Sequence, residues 1–356
     1  MGRVGRPFEL RTRRLALRML DRADVTEFVR YRNLPDVARY QDWALPFTRD
    51  LAHQLVDDME RLGGPTPAEW VQIAVVDLAT GRLAGDVAVW LDPTGETAMV
   101  GYTLSPDFQG RGLATEALAA VVEWLFAGSP SRTPVHRISA TLDPDNAASA
   151  RVLEACGFVH EGTARAAALV RGEWADDARF ALLAPEWDAW KSRPTGAPHT
   201  VELSSPANAD VRRLLRIGPA FSQRGMVAPI GASFGDALIP EVIDGEPMHP
   251  WYRAIRADGE LVGFVMVAEP HHSVPHPYLW RLVIDRRHQL RGIGRLTVAA
   301  VADHWRRAGA THLLVSFVPG IPGNPQPFYE QLGFVLNGKV EDGEVEAELD
   351  LTQRAG

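Results

Sequence analysis

The chain has 356 residues, 46% of them hydrophobic and 23% charged, with a formal net charge of −8 at pH 7. That length suits two domains, each able to bury its own core, and the acidic balance argues against a general nucleic-acid binder and favours a cationic or amine-bearing substrate. The single cysteine, Cys156, excludes an internal disulfide, fits a reducing compartment and reads as buried filler on an apolar helix face.

The amino terminus carries Arg3, Arg6, Arg11, Arg13 and Arg14 without a signal-peptide core, and Leu15, Leu17 and Arg18-Met19-Leu20 read as a first strand. No run approaches the ~20 apolar residues of a membrane span, so a cytoplasmic protein without membrane partners is expected. Asp21 is placed to cap a helix through Val25 and Phe28 to about Tyr31, followed by a short helix over Leu34 to Tyr40. Thr48 caps a third, ending near Gly63-Gly64. Trp70 to Val76 and Ala84 to Leu91 alternate as a hairpin around Thr80-Gly81. The strand into Val100-Gly-Tyr102 leads to a glycine-rich turn and a helix over Leu113 to Phe126. A loop over Gly128 to Pro134, a strand over Val135 to Leu142, a helix from Asn146, and strands from Phe158 and over Arg179 to Leu183 complete a domain spanning 8–190. Residues 191–199, with two prolines and a glycine but no apolar period, read as a linker. A second domain, 200–353, restarts with a strand at Thr200 to Leu203 and a helix from about Asn208 to Ile217. A loop-rich stretch to Pro250, hairpin strands Tyr252 to Ile255 and Leu261 to Ala268, a second glycine-rich turn, and a hairpin turn at Val340 to Glu344 follow. The expected class is α/β (α+β): two tandem domains, each a mixed, mostly antiparallel sheet flanked by helices.

The two glycine-rich turns are copies of one pattern. Gln109-Gly-Arg-Gly-Leu-Ala114 and Gln289-Leu-Arg-Gly-Ile-Gly294 each follow an apolar strand and open a long helix. Glycine removes Cβ atoms where an anion approaches the backbone, and the unpaired N–H groups and dipole of a helix start attract negative charge. Neither copy has the Gly-Lys-(Ser/Thr) of a P-loop or the third glycine of a dinucleotide fingerprint. Both read as diphosphate cradles. Each is followed by a strand, then Asn146-x-x-Ser149 or Asn324, and a helix ending in Gly157-Phe158 or Gly333-Phe334. The intervals from glutamine to that glycine are 48 and 44 residues.

These paired motifs resemble those of the GNAT acyl-CoA-dependent N-acyltransferases, whose acetyl-CoA signature is (Gln/Arg)-x-x-Gly-x-(Gly/Ala), and the resemblance covers nearly the whole chain as two tandem domains. It implies acetyl-CoA as cosubstrate, at up to two sites, held by Gln109, Gly110, Arg111, Gly112, Leu113, Ala114 and Asn146, and by Gln289, Leu290, Arg291, Gly292, Ile293, Gly294 and Asn324. It also implies an acid tyrosine four residues before the Gly-Phe glycine, where Tyr329 stands; the first half has Leu153 there. The first half, with Ser149 three residues after Asn146, resembles the branch that acetylates amino termini of ribosomal proteins, in which serine and asparagine contact the sulfur and pantetheine arm. The second half resembles bacterial spermidine and diamine acetyltransferases through Leu261-Val-Gly-Phe-Val-Met266, Tyr278 to Asp285 and Gly338 to Glu344, departing in the proline-rich loop Pro319 to Pro327.

Amide formation needs a deprotonated amine, a donor to the thioester carbonyl and a proton for the thiolate. Backbone N–H groups of the central strand before each cradle are the expected carbonyl donors. A phenol, protonated at neutral pH, can supply the thiolate's proton. The usual central-strand carboxylate is replaced by Met99 and Trp280. Glu269 is the candidate base of the second half, with His271 or His272 behind it; Asp86 or Glu96, acting through water, are the options in the first. His271, His272 and His276 lack a fixed helical spacing and a fourth ligand, so no metal is expected. The expected function is acetyl transfer to a primary amine of a small molecule or to a peptide amino terminus. The alternatives are an acyltransferase of a thiol-precursor pathway, like the tandem mycothiol synthases, and a non-catalytic CoA-sensing module.

Overall fold

In a computed structural model of the chain, residues 8–129, 132–240, 242–243, 245–320 and 324–352 are described. Arg3, Arg6 and part of the Pro319 to Pro327 loop lie outside them. The described chain divides into two units, with the division after Ser192.

Alternating apolar residues build the first sheet, and capping residues set the helices between its strands. The first unit runs β1 (Glu9–Arg11), β2 (Leu15–Met19), α1 (Val25–Arg32), α2 (Pro35–Ala38), α3 (Arg49–Leu62), β3 (Trp70–Asp77), β4 (Leu83–Leu91), β5 (Thr97–Leu104), α4 (Leu113–Ala127), β6 (Arg137–Leu142), α5 (Ala147–Ala155), β7 (Val159–Val170), β8 (Glu173–Leu183) and α6 (Ala184–Lys191). Asp21 accepts from Ala23 N ahead of α1, Thr48 accepts from Leu51 N at the start of α3, and Gly63 ends α3 in the left-handed conformation. The sheet order is β1-β2-β3-β4-β5-β6-β8-β7, antiparallel except for β5 beside β6.

The second unit repeats this plan: β9 (Val201–Ser204), α7 (Asn208–Leu214), α8 (Ile230–Leu238), the short pair β10 (Val242–Ile243) and β11 (Glu246–Pro247), β12 (Pro250–Ala257), β13 (Glu260–Ala268), β14 (Tyr278–Ile284), α9 (Ile293–Arg307), β15 (His312–Phe317), α10 (Gln326–Gln331), β16 (Val335–Glu341) and β17 (Glu344–Asp350). Its order is β16-β17-β15-β14-β13-β12-β9, with β14 and β15 parallel. Helix α8 lies in the stretch that reads as loop in the sequence, because Gly231 and Gly235 lower its helix propensity. Its Ile230 is nevertheless buried, in a cluster with Leu214 and Phe264. The segment before β9 is strapped to this unit: Gly196 O accepts from Arg291 Nε (2.8 Å), and Asp258 accepts from His199 N and Thr200 N (2.8 and 3.0 Å).

In each sheet the central parallel pair is held over a short length and then parts. Strand β5 meets β6 only at Thr97–Arg137, Ala98–Ile138 and Met99–Ser139; β14 meets β15 only at Tyr278–Leu314 and Leu279–Val315. On its other edge β14 carries a bulge. Arg281 faces Met266 and Leu279 faces Val267, which leaves Trp280 as an extra, unpaired residue. The β4–β5 register is unbroken. Beyond the bulge β13 lies against β14 so closely that a Cβ on Gly263 would sit 2.5 Å from Val283 O. Gly263→Ala is therefore expected to destabilise the second unit by about 1–3 kcal/mol, the usual cost of forcing backbone apart in a packed core. Urea unfolding measures this, and an unchanged midpoint would show that the strands part freely.

Candidate active site

Each cradle forms where the central strand turns into a helix, and the same atoms fix the turn in both units. Gln109 Nε2 donates to Leu104 O (3.0 Å) and Gln289 Nε2 to Ile284 O (3.1 Å), five residues back in each case. The motif glutamines thus brace the end of the strand. Two left-handed residues follow: Gly110 and Gly112 (φ 69° and 71°) in the first unit, Leu290 and Gly292 (φ 60° and 78°) in the second. Leu290 takes the conformation glycine accepts more easily, with its side chain fully in solvent.

The first intrahelical bonds run from Glu116 N to Gly112 O (3.2 Å) and from Leu296 N to Gly292 O (3.1 Å). The amides of Leu113, Ala114 and Thr115, and of Ile293, Gly294 and Arg295, precede them and have no intrahelical acceptor. A Cβ on Gly110 or Gly292 would meet nothing within 4 Å, and one on Gly112 only the Arg14 guanidinium, at 3.7 Å. Each turn thus leaves an open hollow beside the first amides of its helix.

The arginines of the two motifs differ. The exposed Arg111 guanidinium lies 5.7 Å from the Phe108 ring centre. Arg291 is buried, bound to Gly196 O and to His288 (3.0 Å), so its side chain ties the cradle to the strap instead of facing an anion. Asn146 caps α5, accepting from Ser149 N (3.1 Å), and Asn324 accepts from Gln326 N (3.0 Å) as α10 begins.

Beyond the second cradle, three cavities of about 540, 380 and 750 Å³ succeed one another through the parted strands. Trp280 and Ser316 line all three. The first holds the cradle residues, Asn324 and Tyr329. Tyr329 is buried against Phe317 (ring centres 5.8 Å, planes 10° apart), and burial pushes its phenol upward. Among the described residues its hydroxyl makes no hydrogen bond, which leaves it available to whatever enters this cavity. The last cavity is acidic: Asp236, Glu341, Asp342, Glu344 and Glu346 stand against Arg281 and Lys339. Ser316 Oγ donates to Glu344. The Tyr278 phenol lies beside Ser316 and Glu346, pushed up to about 12 mainly by burial.

Glu269 is not brought to this channel. Its amide donates to His249 O (2.8 Å), and its charge acts on Arg253 and on His304, in the last turn of α9. That puts it on the α9 side of the sheet, at the end remote from the cradle. Two of the histidines are gathered, His271 and His272 with ring centres 4.0 Å apart, and the third is not. His276 packs on His312 (5.0 Å), while His271 and His272 face Glu246 (3.4 and 3.6 Å). Ser273 N donates to His271 Nδ1 (3.3 Å), so the His271 proton sits on the nitrogen that faces the carboxylate. Glu246, His271 and His272 thus offer three possible ligand atoms within 4.8 Å of one another.

In the first unit Asp86 is fully enclosed, bonded by the Tyr31 hydroxyl and paired with Arg32 (3.3 Å), whose guanidinium lies 4.1 and 4.2 Å from the Phe28 and Trp43 ring centres. Burial raises its carboxyl pKa. Its carboxylate is 2% exposed and is engaged by these two side chains. Glu96 is exposed where β5 begins, at the far end from the cradle. Cys156 is buried, its thiol pushed up to about 12, which excludes a ready nucleophile.

The residue that sequence reasoning missed is Tyr102. Its hydroxyl donates to Ser149 O (2.7 Å) and accepts from Ser149 Oγ (2.9 Å), and burial raises its pKa. Counted back from the motif glutamine, Tyr102 matches Leu282, just as Leu153 matches Tyr329. At these matched positions each unit therefore has one phenol, supplied by the strand in the first and by the helix in the second. The phenol of the Gly-Tyr pair was the available signal.

Residues 14–159 match the family model described as acetyltransferase (GNAT) domain, and residues 222–334 that of the acetyltransferase (GNAT) family. The chain belongs to the GNAT acetyltransferases, with two such domains in tandem, and this family uses acetyl-CoA. Among similar proteins, the probable N-acetyltransferase YjcK of Bacillus subtilis (strain 168) is 38% identical over 107 residues, 30% of this chain and 57% of that protein. The uncharacterized N-acetyltransferase p20 of Bacillus licheniformis is 27% identical over 184 residues, 50% of this chain and 97% of that protein. The [ribosomal protein uS5]-alanine N-acetyltransferase of Escherichia coli (strain K12) is 37% identical over 89 residues, 25% and 43% of the two chains. A solved GNAT-family acetyltransferase from Bacillus anthracis covers 50% of this chain and 99% of its own, at 24% identity and a TM-score of 0.44. The chain thus spans about half the length of some of these relatives and nearly all of others. Among the described residues no helix is long and apolar enough to cross a membrane.

If the hollows hold the diphosphate, Gly112→Asp and Gly292→Asp should each remove one acetyl-CoA site. The carboxylate fills the space and repels the anion, and losing even one charge-assisted bond of about 1.5–3 kcal/mol weakens binding roughly 10- to 100-fold. Calorimetry should pass from near two sites per chain to one in either variant. Two sites retained in both would refute the cradle assignment.

Proposed function

We propose that the protein is an acetyl-CoA-dependent N-acetyltransferase whose second unit acetylates a primary amine on a cationic small molecule. The observation that carries this reading is a set of three cavities sharing Trp280 and Ser316, one holding the Gln289 to Gly294 cradle and the Tyr329 phenol and another five carboxylates and two cations. Acetyl-CoA enters from the cradle side, with its thioester at the gap between β14 and β15. The backbone of Trp280, out of register at the bulge, lies at that gap, where an N–H can polarise the carbonyl. Tyr329 then supplies the proton that the departing thiolate needs. The acidic cavity attracts an ammonium-bearing acceptor and disfavours anionic ones.

The first unit is read as a second acetyl-CoA site, in which the hydrogen-bonded Tyr102 and Ser149 hydroxyls take the place of Tyr329. A peptide amino terminus is the acceptor proposed there. Its support is the similarity to an enzyme named for ribosomal-protein alanine and the Ser149 position at the start of α5.

Tyr329→Phe keeps the stacked ring and removes only the hydroxyl. Thiol release with polyamines or other cationic amines should fall by roughly the 10²–10⁴ of lost acid catalysis, with acetyl-CoA affinity unchanged. Tyr102→Phe should leave that activity intact and lower the turnover of peptide amino termini. Unchanged turnover of both acceptors in both variants would mean that the phenols serve packing alone. Turnover confined to hydroxyl acceptors would rule out the amine reading.

A further inference from the structure

The acceptor reaches the second unit as an ammonium, and the channel offers one carboxylate suited to deprotonate it. Building on the acetyltransferase reading of this unit, we propose that Glu344 is the general base, with Ser316 as its positioning residue.

Three of the other four carboxylates of the acidic cavity are occupied. Asp236 faces Arg281 (3.7 Å), while Glu341 and Glu346 share Lys339 (3.1 and 3.5 Å). Glu346 also accepts from Asn337 Nδ2 (2.7 Å). The fourth, Asp342, is exposed on the turn between β16 and β17. Among the described residues no cation pairs with Glu344. Its partner is the Ser316 hydroxyl, which donates to one carboxylate oxygen and leaves the other free to accept a proton. Glu344 also lines both the acidic cavity and the one that joins it to the cradle. It therefore stands where an amine must pass to reach the thioester.

The register explains the meeting. Ser316 is paired across the ladder with Glu346, two residues beyond Glu344 on the same face of β17. The opposite face carries Val315, Phe317 and Ala347 into the α9 core. The reaction balances as follows. Glu344 takes one proton from the ammonium, and the nitrogen lone pair forms the C–N bond to the thioester carbon. The C–S bond breaks as the tetrahedral centre collapses, and the thiolate takes the Tyr329 proton. The second amine proton restores the phenol, and Glu344 returns its proton to solvent. The products are the amide, CoA thiol and one released proton.

The test is acceptor kcat/KM for thiol release by the full chain across pH 6–10. Glu344→Gln should lose roughly 10²–10⁴ at neutral pH and recover as pH rises, because the amine then deprotonates without help. Acetyl-CoA binding and melting temperature should hold. Glu344→Asp should restore part of the neutral-pH rate, and Ser316→Ala should lower kcat more than KM. A loss in Glu344→Gln that is the same at every pH, or a rise in KM alone, overturns the assignment and makes Glu344 an acceptor-binding residue. An unchanged rate in Glu344→Gln, with loss in Tyr329→Phe, overturns the base while the acetyltransferase reading stands. No thiol release by the wild-type chain with any cationic amine would remove both.

Discussion

The parting of two parallel strands is the constraint on which both units depend. A parallel ladder satisfies backbone groups only while the strands stay about 4.8 Å apart. Here it ends after three pairs in one sheet and two in the other. What lies beyond must be satisfied by something other than sheet. The glutamine brace meets one such need, capturing the carbonyl of Leu104 or Ile284 at the strand end. The left-handed turn then carries the chain into a helix whose first amides face the same gap. The end of a parallel ladder and the start of a helix are thus joined by one local device, used twice.

Much of this device is legible in sequence because it is local. The glycine pattern, the strand before it and the helix after it lie within about thirty residues, and their conformational demands act residue by residue. The helix caps at Asp21 and Thr48 are readable for the same reason. What the sequence does not reveal depends on register. Ser316 and Glu344 meet only because β15 pairs with β17, across 28 residues of chain. Glu269 reads as a base because its face cannot be told from alternation: Leu261 to Ala268 are all buried, so β13 shows no period of two. The bulge at Trp280 adds a second obstacle, since one extra residue reverses which side chains face the core. Leu279 and Leu282 both pack on the α9 side as a result.

The buried polar groups divide by what surrounds them. Asp86 accepts from Tyr31 and pairs with Arg32 within a wall of aromatic rings, an arrangement that suits a fixed core. Tyr329 is the reverse case, a buried phenol packed on aromatic rings whose hydroxyl has no hydrogen-bond partner among the described residues. Burial alone does not distinguish a structural group from a reactive one. The state of the partners does.

Comparison of the two halves shows how a duplicated site keeps its geometry while its parts change. In the second unit the third glycine position, Gly294, lies so close to Phe328 that a Cβ would approach its ring at 3.2 Å. The first unit has Ala114 at that position and, one residue before Leu153, the smaller Val152 in place of Phe328. The methyl group gained on α4 is matched by volume lost on α5, as packing at crystal-like density requires. The phenols follow the same logic. A tyrosine on helix α10 faces Leu282 across the gap, and a tyrosine on strand β5 stands where Leu153 lines the helix. One ring and one aliphatic chain thus occupy the two matched positions in either order. The hydroxyl cannot change sides so freely, because its direction decides what it touches. In the first unit it meets Ser149, and in the second it is left to the channel. The two units therefore differ in the direction of one hydroxyl more than in the backbone that carries it.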